Sequence, residues 1–330
     1  MDHRAVDDIS KQIESGEAPE SLWSWKIIPV AIVTALILSA LIHQLGGMAE
    51  FGGVIRHARW EWLAVAGAIV CFSLFVITAR FRVVVQAIGY RPGMAKLFQA
   101  VVAVWPLGFL LPSRSNDLFR AYILRDDLPG WKCIGALLAE RAVDLQTLVL
   151  FSAVGCLLLG LWIPGALAIV AWLSGWGLLW FLHRWAGRVV RWKAVSRFRD
   201  KLEALSAAFD VLKQNPRALL IVQAISMLAW GNITILMVVL CAMYGVEVSW
   251  MMIMAFWPVA LVVGMLPITV AGLGTRDAAF VALLTVSHSA LVEADVVAVT
   301  MTYALVTMVL PSLLGTPFLA RSLMARSDRQ

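Results

Sequence analysis

Ionisable residues gather at three places in a chain that is otherwise strongly apolar. Arg114, Asp117 and Arg120 lie in "LPSRSNDLFR", directly behind the apolar run "LFQAVVAVWPLGFL". Glu140, Arg141 and Asp144 stand near the start of a long apolar segment, and Arg276 and Asp277 follow "LPITVAGLGT". Residues three or four apart share a helix face, so Glu140 pairs by position with Asp144, and Arg141 with Asp144. Arginine carries a planar fork suited to phosphate oxygens, and the N–H groups that open a broken helix add partial positive charge. Gly272 and Gly274 permit a close backbone approach. An arginine-lined, half-buried pocket for a lipid phosphate is the chemistry this pattern suggests. The competing reading is that Arg141–Asp144 and Arg276–Asp277 are intramembrane ion pairs that only hold helices together.

Catalytic and metal chemistry find little support. His3, His43, His57, His183 and His288 are scattered, and no Walker loop, nucleophile elbow or His-Glu-x-x-His occurs. No catalytic residue, metal ligand or cofactor is therefore assigned. A carboxylate base at Glu140 keeps a lipid-modifying enzyme open as the rival class. Cys71, Cys133, Cys156 and Cys241 are isolated from one another in or beside apolar segments, which favours core packing over a disulfide.

The elements that must position these groups are membrane helices. The 330 residues are 61% hydrophobic and 15% charged, which is too little polar surface to cover a soluble core of this size. The fold expected is all-α, a polytopic bundle with full spans near 27–45, 60–80, 133–160, 163–183, 217–243 and 293–319. Segments 97–111 and 251–266 amount to only roughly 22 and 24 Å of helix against a core of about 30 Å. Both run into Leu-Pro. Between Arg184 and Arg217 stand nine basic residues against three acids, and this loop belongs inside. With the N-terminus inside, it falls there only if 97–111 dips in and returns, together with Arg80, Arg82, Arg91 and Lys96. By the same logic 251–287 dips from the outer face. The result is six spans and two re-entrant hairpins, with both termini cytoplasmic at an inner membrane.

The polar tail 1–26 carries no signal-peptide pattern, the membrane domain covers 27–319, and 320–330 forms a short cytoplasmic tail. Within the domain, Phe198, Leu202, Leu205, Phe209 and Leu212 put an amphipathic interfacial helix at 196–213. The basic loop has no aromatic or glycine-rich module, so nucleic acid is not an expected partner.

Two stretches echo each other. Each short apolar helix meets Leu-Pro, a loop, and an Arg/Asp pair that opens a second helix; "ERAVDLQTLVLFSAVG" from Glu140 and "TYALVTMVLPSLLG" from Thr302 then follow. If the two enter from opposite faces, this is an inverted repeat of the kind that places a transporter's site near the midplane. Chance likeness between two Leu-Pro breaks is the competing account.

At these residues the sequence resembles the lysylphosphatidylglycerol synthase transmembrane-region family of flippase-like membrane proteins. Pro112, Arg114, Asp117 and Arg120 match its Pro-Gly-Arg-x-Gly-Glu-x-x-Arg stretch, with Ser113 for glycine and aspartate for glutamate. Glu140, Arg141 and Asp144 match Glu-Arg-x-x-Asp in full. Pro267, Gly272, Leu273, Gly274 and Asp277 match Pro-x-x-x-Gly-Gly-Leu-Gly-x-x-Glu, with Ala271 for one glycine and aspartate again for glutamate. The resemblance implies translocation of a lipid between leaflets. It also implies a cargo that is an anionic phospholipid or a polyprenyl- or hopanoid-type lipid, a separate lipid-modifying transferase as partner, and a chain that is the membrane half without the synthase domain.

Overall fold

Backbone N–H and C=O groups in hydrocarbon must be satisfied within the segment, so long apolar runs there become helices even when rich in Val and Ile. The computed structural model of the protein describes residues 56–109, 117, 119–189, 215–266, 269, 272–287 and 293–327. Its regular elements among them are all helical. They are α1 (Glu61–Ala87), α2 (Met94–Ala103) with a 3-10 turn at Pro106–Phe109, α3 (Phe119–Ile123) and α4 (Gly130–Leu158). There follow α5 (Trp162–Val189), α6 (Pro216–Tyr244), α7 (Trp250–Gly264), α8 (Thr275–Ser287) and α9 (Glu293–Ser327). The expected tail 1–26, the first span 27–45 and the amphipathic helix 196–213 lie outside the described residues.

Local chemistry sets several of these boundaries. Asn215 accepts the Ala218 N–H at 3.2 Å, and Pro216 follows at the first helical position, where its missing N–H costs nothing. Gly245, at φ +69°, ends α6 in the left-handed conformation that suits glycine. Ser249 caps α7 through the Met251 N–H. The α4–α5 turn is made at Gly160, φ +74°, and Ile163, Pro164 and Gly165 lie in the first turn of α5, where proline is tolerated.

Among the described residues, four helices are long and apolar enough to cross a membrane: α1 with 27 residues, α4 and α6 with 29 each, and 28 residues of α9, Asp295–Ser322. The segments 94–108, 162–178 and 250–264 form shorter apolar helices. The sequence reading of 97–111 and 251–266 as short of a full span therefore agrees with the structure. The segment 163–183, expected to span, lies within the 28-residue α5, whose described side chains make a shorter apolar stretch at 162–178. Trp162, Ile163, Leu167 and Leu173 on α5 are well exposed, as side chains against lipid would be.

The packing is exchanged between the two halves of the chain. α1 packs along α6, while α2 packs against α9 and α7 against α4. The buried apolar side chains form two groups. One joins the ends of α1 and α4 to α6, α7, α8 and α9 around Trp257, Phe280 and Tyr303. The other joins the opposite ends of α1 and α4 to α2, α3 and the start of α6 around Phe81, Phe119 and Tyr122. On α1, α4 and α6 the change from one group to the other falls at Arg80, Asp144 and Ser226.

Arg80 corrects the sequence reading. It was placed with Arg82, Arg91 and Lys96 as a charge of the inner loop. The helix runs on to Ala87, and Arg80 is an interior residue, 3% exposed. Arg82 and Arg91 do line a surface cleft of about 380 Å³, and Lys96 pairs with Asp127.

Candidate functional site

Helix α4 carries Glu140, Arg141 and Asp144 within two turns, and two neighbouring helices bring arginines to them. From α1, the Arg80 Nε donates to Glu140 Oε1 at 2.8 Å, and its Nη1 donates to Asp144 Oδ1 and, at 3.2 Å, to Ser226 Oγ on α6. From α3, the Arg120 Nη1 donates to Glu140 Oε2 at 3.3 Å and its Nη2 pairs with Asp117 Oδ1 at 2.9 Å. Arg141 reaches back to Asp117 Oδ2 at 2.7 Å and along its own helix to Asp144 Oδ2 at 3.3 Å.

These contacts close on themselves. Arg80, Glu140, Arg120, Asp117, Arg141 and Asp144 form a ring in which positive and negative groups alternate, and the three cations balance the three carboxylates. A charge buried in hydrocarbon costs several kcal/mol, and it is kept only when its partner and its hydrogen bonds are supplied. Glu140 at 0% and Asp144 at 2% exposure meet that condition, with the Trp230 Nε1–H donating to Asp144 Oδ1 at 3.0 Å. The Arg120 guanidinium also lies over the Phe81 ring, 5.4 Å from its centroid.

The ring is closed on one side and open on the other. The side chains of Arg80, Glu140, Asp144 and Arg120 are at most 3% exposed, whereas Asp117 is 14% and Arg141 28% exposed. A solute meets the Asp117–Arg141 edge first.

Arg276 and Asp277 form a second cluster. The Arg276 Nη2 donates to Asp277 Oδ1 at 2.7 Å, and its guanidinium lies 5.4 Å from the Trp257 ring and 5.0 Å from the Tyr303 ring. Asp277 Oδ2 accepts the Gly274 N–H at 2.8 Å, so this carboxylate satisfies the start of α8 from within the chain. Gly272, at φ +74°, lies so close to α7 that an added Cβ would fall 2.9 Å from Gly264 Cα. The close approach its glycine permits is thus to helix α7.

Of the residues expected to form one pocket, Asp117, Arg120, Glu140, Arg141 and Asp144 come together. Arg276 and Asp277, with Gly272 and Gly274, belong to the packing group of Trp257 and Tyr303. Arg114 lies outside the described residues, as do Pro112 and Pro267. Sequence reasoning missed Arg80, Ser226 and Trp230 in the first cluster, and Trp257 and Tyr303 in the second. One signal for Arg80 was available: "FVITARFRVVV" keeps its apolar character on both sides of the arginine, which marks an intramembrane cation rather than a loop.

A family model described as the lysylphosphatidylglycerol synthase TM region matches residues 26–315. Among characterised proteins, the chain is similar to the glycosyltransferase AglD of Haloferax volcanii, 28% identical over 148 residues. That stretch is 43% of this chain and 23% of AglD, so the chain matches less than a quarter of that protein's length. No solved structure matches.

Proposed function

The chain belongs to the family of the lysylphosphatidylglycerol synthase transmembrane region, and from that premise we propose that it binds an anionic lipid headgroup at the charged ring and carries it between leaflets. The observation that carries the reading is the ring itself: six ionisable groups held among helices long enough to span, with one edge exposed. A purely structural ion pair needs two partners, whereas a ring with an open arginine edge also supplies a place for a phosphate. The exchanged packing, α2 on α9 and α7 on α4, supports the further reading that the segments 94–123 and 250–287 are re-entrant hairpins of an inverted repeat. In this reading both termini are cytoplasmic and the membrane is the inner one. Arg276, held between two aromatic rings, would serve the second hairpin as Arg120 serves the first.

The test is leaflet exchange in liposomes. Purified protein should accelerate the loss of accessible headgroup-labelled phosphatidylglycerol, and Arg114→Ala and Arg120→Gln variants should do so far less. Equal rates with and without protein would sink the proposal, and chemical turnover of the lipid by the pure protein would favour an enzyme instead.

A second reading draws on the likeness to part of a glycosyltransferase. There the chain presents a sugar-carrying lipid phosphate to a separate transferase. Mass spectrometry of the lipid that co-purifies separates the two: a glycosylated isoprenoid phosphate favours presentation, and a phosphatidylglycerol derivative favours translocation.

A further inference from the structure

Asp117 holds its two oxygens on two different arginines, Oδ1 on Arg120 at 2.9 Å and Oδ2 on Arg141 at 2.7 Å. That is how a phosphate group would sit, one oxygen to each guanidinium. Glu140 and Asp144 also give one oxygen to each of two arginines, but for both of them one of the two is the buried Arg80. Glu140 and Asp144 are anchored by Arg80 from the closed side, and their bonds to Arg120 and Arg141 are the long ones, both 3.3 Å. Asp117 alone among the three stands on the exposed edge. It also lies close before the start of α3 at Phe119.

The arginines have donors to spare. Among the described residues, the Nε–H of Arg120 and the Nε–H of Arg141 are both buried without an acceptor. A buried donor left unmade costs about 1–3 kcal/mol. A tetrahedral phosphate brings more acceptor oxygens than one carboxylate, and so can reach donors that Asp117 leaves unsatisfied.

We infer that Asp117 is a built-in anion which occupies a phosphate site between Arg120 and Arg141, and that a lipid phosphate binds there by displacing it. The inference rests on the lipid-phosphate reading proposed above and adds the location of the phosphate and its competitor. Exchange of one anion for another leaves the ring neutral, with Arg80 still holding Glu140 and Asp144. It also breaks the contact of Asp117 with Arg141 on α4.

Binding at equilibrium tests this without requiring transport. Wild-type, Asp117→Asn and Asp117→Glu proteins in nanodiscs of uncharged lipid are titrated with dihexanoyl phosphatidate and, separately, with inorganic phosphate. Asp117→Asn should bind the short-chain phosphatidate about tenfold tighter than wild type, the worth of one charge-assisted hydrogen bond, while Asp117→Glu stays close to wild type. Inorganic phosphate following the same order assigns the site to the phosphate group alone, and phosphatidate following it alone assigns the site to a lipid. Should Asp117→Asn fail to fold, wild-type protein is treated with a hydrophobic carbodiimide and Asp117 modification is mapped by mass spectrometry. Added phosphatidate should raise that modification, and no change or a fall overturns the latch. Unchanged affinity in a folded Asp117→Asn protein, with weaker binding in Arg141→Gln, overturns the latch and leaves the lipid-phosphate reading standing. No binding by any of the proteins removes both.

Discussion

At the scale of single residues, Arg80 decides whether the site exists. Among the described residues it alone binds both Glu140 and Asp144 from another helix, and it reaches Ser226 on α6 as well. Removing one partner of a buried pair costs roughly 3–5 kcal/mol, because the remaining charge is left in a medium that cannot solvate it. Arg80→Ala should therefore lower the thermal midpoint of the detergent-purified protein sharply and reduce the yield of monodisperse material. Arg80→Lys keeps the charge without the fork that serves two carboxylates and a hydroxyl, and should fall between the two. A midpoint for Arg80→Ala indistinguishable from wild type would show that the ring contributes nothing to stability.

At the scale of elements, two glycines bring the halves together. An added Cβ at Gly155 on α4 would lie 2.7 Å from Ala255 Cα on α7, and one at Gly315 on α9 would lie 3.0 Å from Pro106 Cδ, beside α2. Each of these long helices thus meets a short helix of the other half at a residue with no side chain. Around these crossings Ser152 donates to the Ala255 carbonyl at 2.8 Å, and Phe98 on α2 stacks on Phe75 of α1 and meets Phe318 of α9 edge-on. Gly155→Leu and Gly315→Leu should each destabilise by about 1–3 kcal/mol or more, since the obstructing atoms at both are largely backbone and cannot swing aside. Gly177→Ala is the matching control. It lies in α5 with open space around it, and should be neutral or gain up to about 1 kcal/mol in a helix. Thermal midpoints of the three variants, measured side by side, check both statements.

At the scale of the whole molecule, the packing of α2 on α9 and of α7 on α4, read as two re-entrant hairpins, makes a topological prediction. If the two hairpins enter from opposite faces, a cysteine at Ser115 should react with a membrane-impermeant reagent from the cytoplasmic side and one at Thr275 from the outside. Labelling of both from one side would refute the inverted arrangement while leaving the helix packing untouched. The charge pattern from which this orientation was argued is a property of loops. Arg80 shows how a cation counted with the loops can prove to be interior, while Arg82, Arg91, Lys96 and the segment 184–217 remain the basic residues expected inside.

Much of this was determined by the sequence alone. Apolar length fixes helix against loop, because hydrocarbon leaves the backbone no other way to bond, so α4, α6 and α7 were legible to within a turn, whereas α1 and α9 run on about two turns past their expected ends. The pairing of Arg141 with Asp144 follows from helical spacing, and that of Arg276 with Asp277 was read from their adjacency; both are local. What tertiary structure decided is which groups from different helices share a charge. Glu140 and Asp144 were expected to face the same way, but their common partner lies 60 residues away on α1. Arg276 was assigned to their pocket and instead packs between Trp257 and Tyr303. Spacing along one helix is set by covalent geometry, whereas the meeting of three helices depends on how their apolar faces pack, and no short pattern in the chain records that.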